Sequence, residues 1–342
     1  MQSQLISLLT SGEKNNIELA IALATSQGWN IEKIITEAGF NDWNIHKASS
    51  FEFFFKNNLE LNYKAEFNPQ IFQYFGRVQR LFLDKLGLKD CSFFNNMPDL
   101  YLLSLQKNQI EDISGLAKTP GIKTLYLQAN QLAKRAQLAI LTQLTHLTWL
   151  DLADNPISEL DIWPTPPIID HLSLNNTQIQ QIDFLDGWTQ LRTLYISENN
   201  FSNGLKLPHL PNLSTLALGN CKLKQTLDFQ QYPKLRSLYI NDNKLSDIGD
   251  LSPLSELSSL MIGGNHIKKL SVAHLPANIK NLNIVDSKLL TDISELASLT
   301  NLEFLNIRGC SKITKEQLQI IKKDNKKLYI EGSYENNRYE YK

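Results

Sequence analysis

The sequence predicts a right-handed curved α/β solenoid with a parallel concave sheet of about 12 short strands and a helical N-terminal cap. Three observations predict it. One 22-residue register runs through most of the 342 residues, leucine and asparagine are jointly in excess (57 and 32 residues), and the first 77 residues carry helical signals without the register. An excess of two residue types at once calls for a repeating cause, and a fixed period of this length signals stacked coils.

The pattern Leu-x-x-Leu-x-Leu-x-x-Asn-x-Leu lands at Leu100-Leu103-Leu105-Asn108-Ile110 and returns ten times in all, with its ninth position at 108, 130, 155, 177, 199, 221, 243, 265, 287 and 310. Degenerate units extend it back to Val78-Leu81-Leu83 and forward to Leu328-Ile330-Ser333. The central x-Leu-x-Leu-x alternates with period two, so each coil opens on a short strand with one face buried. The ninth residue is asparagine in six coils. A buried Asn has two donors and an acceptor, enough to satisfy turn backbone in adjacent coils. Thr177, Cys221, Ser287 and Cys310 take the same slot, which makes two of the three cysteines buried structural groups.

Irregular coils predict local elements. The one 25-residue step holds Leu138, Leu141 and Leu144 on one helical face, so a true helix is expected between Ala133 and Leu144. Trp163-Pro164-Thr165-Pro166-Pro167 is expected to run extended. Thr314-x-x-Gln317 before Leu318 and Ile321 reads as a capping box opening a terminal helix. Residues 334–342 are expected to fray.

With those motifs in place, residues 78–333 resemble the leucine-rich repeat proteins. Apolar residues three and six positions past the repeat's Leu or Ile, as in Ile110-Ile113-Leu116 and Leu245-Ile248-Leu251, resemble the 22-residue subclass of bacterial internalins and of the leucine-rich regulatory subunit of protein phosphatase 1. That resemblance implies short 3₁₀ turns on the convex side. Leu207-Pro208-His209-Leu210 and Leu275-Pro276-Ala277 resemble the shorter bacterial LPxxL type.

Residues 1–77 are expected to form a helical cap or a small helical domain. Helices are predicted over Gln2–Leu9, over Ile17–Ala24 with Gly28 as stop, and over Ile31–Ala38. Phe51, Phe53, Phe54 and Phe55 cluster on a fourth. A solenoid's open end needs covering; the alternative is a partner-docking module that uses the Phe cluster or Trp43.

Composition excludes several classes. With 34 Lys and Arg against 35 Asp and Glu, bulk electrostatics favours neither nucleic acid nor a membrane surface as partner. No apolar run reaches membrane-spanning length, and the N-terminus has no secretory signal pattern, so a cytoplasmic location is expected. Three scattered cysteines and six histidines make no metal motif, and no cofactor is implied.

The candidate site is the concave strand face, as a docking surface for a macromolecular partner, expected to be a protein, of a monomer. Its residues are Tyr126, Trp149, Asp151, His171, Tyr195, Glu198, Tyr239, Asp242 and Met261. Large aromatics on a face that needs no core suit a binding surface; repeat duplication with strand preference for Tyr and Thr is the competing explanation. Acidic residues alternate just before the ninth position (Asp154, Glu198, Asp242, Asp286), either as a solvated face or to favour a basic partner. No catalytic residues are assigned: Asp151, His171 and Ser173 could suggest a triad, but an open strand face has no water-excluding pocket. The expectation is a non-enzymatic protein-interaction scaffold, with an exported internalin-like adhesion protein as the alternative and an enzyme as a third reading.

Overall fold

The computed structural model describes residues 4–5, 19–20, 22–24, 26–29, 80–92, 94, 97–334 and 337–338. The chain forms two compact units, Met1–Pro156 and Ile157–Lys342.

In the first unit, four three-residue strands pair in parallel: β1 (Arg80–Phe82), β2 (Leu102–Ser104), β3 (Thr124–Tyr126) and β4 (Trp149–Asp151). Their central leucines are register partners, Leu81 to Leu103 to Leu125 to Leu150, and all are at most 1% exposed. Period-two alternation puts that column inside and its neighbours outside. The return paths use a 3₁₀ turn at Ser114–Lys118, then helix α1 (Arg135–Leu138) tightening into 3₁₀ at Ala139–Gln143. The helix expected in the 25-residue coil is therefore one turn long. Leu138, Leu141 and Leu144 follow a strict three-residue spacing, and the 3₁₀ geometry stacks i and i+3 directly, so all three are buried.

Eight further strands pair in parallel in the second unit. They are β5 (His171–Ser173), β6 (Thr193–Tyr195), β7 (Thr215–Ala217), β8 (Ser237–Tyr239), β9 (Ser259–Met261), β10 (Asn281–Asn283), β11 (Phe304–Asn306) and β12 (Tyr329–Glu331). Four and eight strands make up the expected twelve. Short 3₁₀ turns return the chain at Asp183–Leu185, Val272–His274 and Ser294–Ser298. Helix α2 (Lys315–Asp324) opens on Thr314, whose Oγ1 accepts the Gln317 amide at 3.4 Å; the return half of the expected capping box is not made, since the Gln317 side chain turns away and donates through Nε2 to Thr291 O at 2.9 Å. Trp163 to Pro167 has no helix or strand, and the Trp163 ring meets Trp188 edge-on at 5.1 Å. Beyond the last coil, β13 (Ser333–Tyr334) pairs antiparallel with β14 (Asn337–Arg338), a regular element inside the stretch expected to fray.

The ninth-position asparagines do what their chemistry requires. Asn243 is buried; its Nδ2 donates to Leu218 O at 2.8 Å and Ile240 O at 3.0 Å, and its Oδ1 accepts from Cys221 N and Leu223 N, both at 3.0 Å. Each Asn therefore ties its own turn to the preceding coil, and Asn108, Asn130, Asn155, Asn199 and Asn265 repeat the arrangement. Cysteine carries out half of it. Cys221 Sγ donates to Ile196 O at 3.2 Å and Cys310 Sγ to Ile284 O at 2.9 Å.

In the N-terminal region, Gln4 and Leu5 are helical, as are Leu19, Ala20, Ala22 to Ala24 and Ser26. Gly28 ends that helix at φ +63, and Trp29 N bonds back to Ala24 O at 2.9 Å. The third predicted helix, the Phe51 to Phe55 cluster, Trp43 and Val78 lie outside the described residues.

Candidate functional site: the strand faces

On the first unit, the outward side chains of β3 and β4 bring Tyr126 and Trp149 together. Their rings lie 6.3 Å apart, tilted by 56°, and both are half-buried. Asp151 is the register partner of Tyr126. Burial first, and then the Asp151 charge, hold the Tyr126 phenol above its ordinary pKa, so it remains a donor. Asp151 also accepts the Ala153 amide at 3.0 Å, which fixes its carboxylate at the end of the strand.

On the second unit, Tyr195, Ala217, Tyr239 and Met261 are consecutive register partners across β6 to β9. The tyrosines and Met261 are half-buried, and Ala217 between them is 6% exposed, so the line dips at its second place. Burial, and then the nearby Tyr239 phenol, raise the pKa of Tyr195. Beside this line runs a low row of Thr193, Thr215, Ser237 and Ser259. The predicted site residues thus fall into two groups, Tyr126, Trp149 and Asp151 on one unit and His171, Tyr195, Glu198, Tyr239, Asp242 and Met261 on the other.

His171 has a partner that the sequence reading did not choose. Its Nδ1 lies 2.7 Å from Oδ1 of Asp170, the preceding residue. Ser173 follows two residues later on the same strand. Among the described residues, no three His, Cys, Asp or Glu side chains are grouped to hold a metal ion.

The acidic row has a backbone cause that the sequence reading missed. Asp154, Asn176, Glu198, Asn220, Asp242 and Asp286 all sit at φ between 48 and 62, and Gly264 and Gly309 at 66 and 73. The left-handed region favours Gly, Asn and Asp, which accounts for all of these residues but Glu198. Glu198, with Lys85, Lys107 and Ala129 in earlier coils, is not explained this way. The reading also passed over a stacked pair on β11 and β12, Phe304 and Tyr329, whose rings lie 5.8 Å apart at 15° with Tyr329 40% exposed. Both stand in the column of Thr193 and Ser259, beside that of Tyr195 and Met261, and the period-two alternation around Leu305 and Ile330 is the signal that places them outward.

No family model matches the chain. An 83-residue stretch is 37% identical to the U2 small nuclear ribonucleoprotein A' of Emericella nidulans, covering 22% of this chain and 36% of that protein. Among solved structures, an internalin from Listeria monocytogenes is similar with a TM-score of 0.57 at 22% identity, covering 78% of this chain and 83% of that one. The leucine-rich repeat domain of APL1B gives 0.60 at 15% identity, covering 87% and 94%. The fold is the leucine-rich repeat fold. A complex of LRIM1 with APL1C, matched at a TM-score of 0.54 and 21% identity over 72% of this chain and 51% of that one, has it too. In leucine-rich repeat terms, the ladder Asn, the buried leucine column and the outward strand residues of this chain all occupy the positions that the repeat assigns them.

Proposed function

We propose that the chain is a non-enzymatic protein-interaction scaffold, with its partner held on the outward strand faces. The carrying observation is the line Tyr195, Ala217, Tyr239, Met261: two tyrosines and a methionine half-buried around a buried alanine, on a face whose strands already have a complete leucine core on the other side. Such aromatics supply binding energy at little entropy cost, as at interface hot spots. A structural relative crystallised as a complex of LRIM1 with APL1C supports a partner that is itself a protein. A monomer in a reducing compartment fits the three buried cysteines, all of them free thiols.

The experiment is affinity capture with the full chain and with a Tyr195→Ala, Tyr239→Ala variant. The variant should lose at least tenfold in partner recovery, about 1.4 kcal/mol, at an unchanged melting temperature. Equal recovery by both proteins rejects the strand-face site.

A further inference from the structure

The second unit's strand face repeats every two coils as well as every one. Arg192, Thr193, Leu194, Tyr195, Ile196 and Glu198 return 44 residues later as Arg236, Ser237, Leu238, Tyr239, Ile240 and Asp242. The outer columns continue the period with Lys280 and Asp286. One end of the strands is thus lined by Arg192, Arg236 and Lys280, and the opposite end by Glu198, Asp242 and Asp286, all exposed.

Neighbouring strands lie about 4.8 Å apart, so Tyr195 and Tyr239, with β7 between them, stand about 9.6 Å apart along the sheet. A polyproline II helix has three residues per turn and rises about 3.1 Å per residue, a pitch of about 9.3 Å. An extended strand presents like faces at about 6.8 Å, and an α-helix repeats every 5.4 Å. Hydrogen bonding discriminates further. The polyproline II backbone makes no internal hydrogen bonds, so its carbonyls are open to donors at every turn, whereas an α-helix has already used its own. Two phenols one pitch apart are such donors. Ala217 leaves a notch between them of the kind a pyrrolidine ring fills, with Thr215 beside it on the same face of β7.

Building on the interaction scaffold reading, we infer that the face around Tyr195, Ala217 and Tyr239 binds a proline-rich segment in the polyproline II conformation, laid across the strands and carrying a basic residue on each turn. The charge follows from the two edges. Two of the three basic-edge residues, Arg236 and Lys280, already meet carboxylates, Glu256 at 2.9 Å and Glu303 at 3.0 Å, whereas Asp242 on the acidic edge accepts from the neutral Asn241 Nδ2 at 2.6 Å and keeps its charge unmatched there. The acidic edge therefore sets the complement, and its members recur at the same two-strand interval, one per turn of ligand. A preformed polyproline II segment also loses little conformational freedom on docking.

The test is fluorescence anisotropy of the full chain with a labelled peptide of four Pro-Pro-Lys triplets. Two controls have the same length: Gly-Ser-Lys triplets keep the charge without the helix, and Pro-Pro-Glu triplets keep the helix and reverse the charge. The first peptide should bind at least tenfold tighter than either control. Ala217→Leu, which fills the notch, should remove that preference, and Tyr195→Phe with Tyr239→Phe, which takes only the two donors, should weaken it several-fold at an unchanged melting temperature. Equal affinity for the Pro-Pro-Lys and Gly-Ser-Lys peptides overturns the inference, as does indifference to the tyrosine donors. If tyrosine-dependent capture of a partner survives while the proline peptide fails, this inference falls and the scaffold reading stands. If capture ignores the tyrosines as well, both fall.

Discussion

The Asp242 carboxylate occupies the space that a side chain at Gly264 would need: a Cβ built there overlaps Asp242 Oδ1. Asp286 and Gly309 stand in the same relation one pair of coils later. Since both positions have left-handed backbone, an Asp leaning onto the next coil is matched by a Gly there, and the alternation of the two types follows from packing.

Gly264→Ala should therefore cost about 1–3 kcal/mol, from an Ala held at positive φ and from the displaced carboxylate. Adding Asp242→Gly should return part of that loss. Urea unfolding of the two single variants and the double variant measures the coupling; strictly additive values would mean that the two residues do not press on each other.

Asn243→Ala leaves the buried Cys221 and Leu223 amides and the Leu218 carbonyl short of a partner, while Ile240 O keeps the Asn265 Nδ2 donor, and should cost about 2–3 kcal/mol. Cys221→Ala removes one weak sulfur donor from the same ladder and should cost clearly less. Chemical denaturation of both variants checks the order. A larger loss at Cys221 would contradict the ladder as the source of the effect.

Burial pushes the Cys221 thiol up to about 12 and Cys310 to about 11, against backbone amide bonds that pull the other way. An unfolded thiol titrates near 8.5, so above that pH the unfolded chain has released protons that the folded chain keeps. Stability should therefore be fully present below about pH 8 and fall as pH rises through the interval up to the folded values. Urea midpoints at pH 7.5 and 10 read the decline, and Cys221→Ala should flatten it. Labelling by a thiol reagent at pH 8 should wait for unfolding; prompt modification of Cys221 in the native chain would refute its burial.

Trp188 is 2% exposed and lies edge-on to Trp163 at 5.1 Å and to Phe184 at 6.3 Å. Trp163→Ala should cost at least the 0.5–1.5 kcal/mol of such a pair and shift the remaining tryptophan emission to the red in the folded protein. Unchanged emission and stability would leave Trp163 with no part in anchoring the proline-rich crossover.

The leucine column and the Asn ladder were legible in the sequence because each depends on one residue type at one spacing. The terminal helix was legible through Thr314 and Gln317. The α1 coil was read only in part, since three leucines at three-residue spacing suit the 3₁₀ geometry better than the α-helix. The aromatic line could be placed on the strand face from period two alone. Why Asp and Gly alternate could not be read, because that needs the sign of φ and the direction of a neighbouring carboxylate. The pairing of His171 with Asp170 likewise depends on rotamers, and adjacency along the strand gave no hint of it.

The fit of Asp242 over Gly264 also sets how this chain can change length. Excising a single coil around Gly264 would keep every ladder asparagine in phase but set Asp242 beside Asp286, whose own Cβ would stand where the first carboxylate lies. Removing 44 residues instead of 22 restores an aspartate facing a glycine. The interchangeable part in this region is thus a doublet of coils, and viable insertions or losses there should come in even numbers.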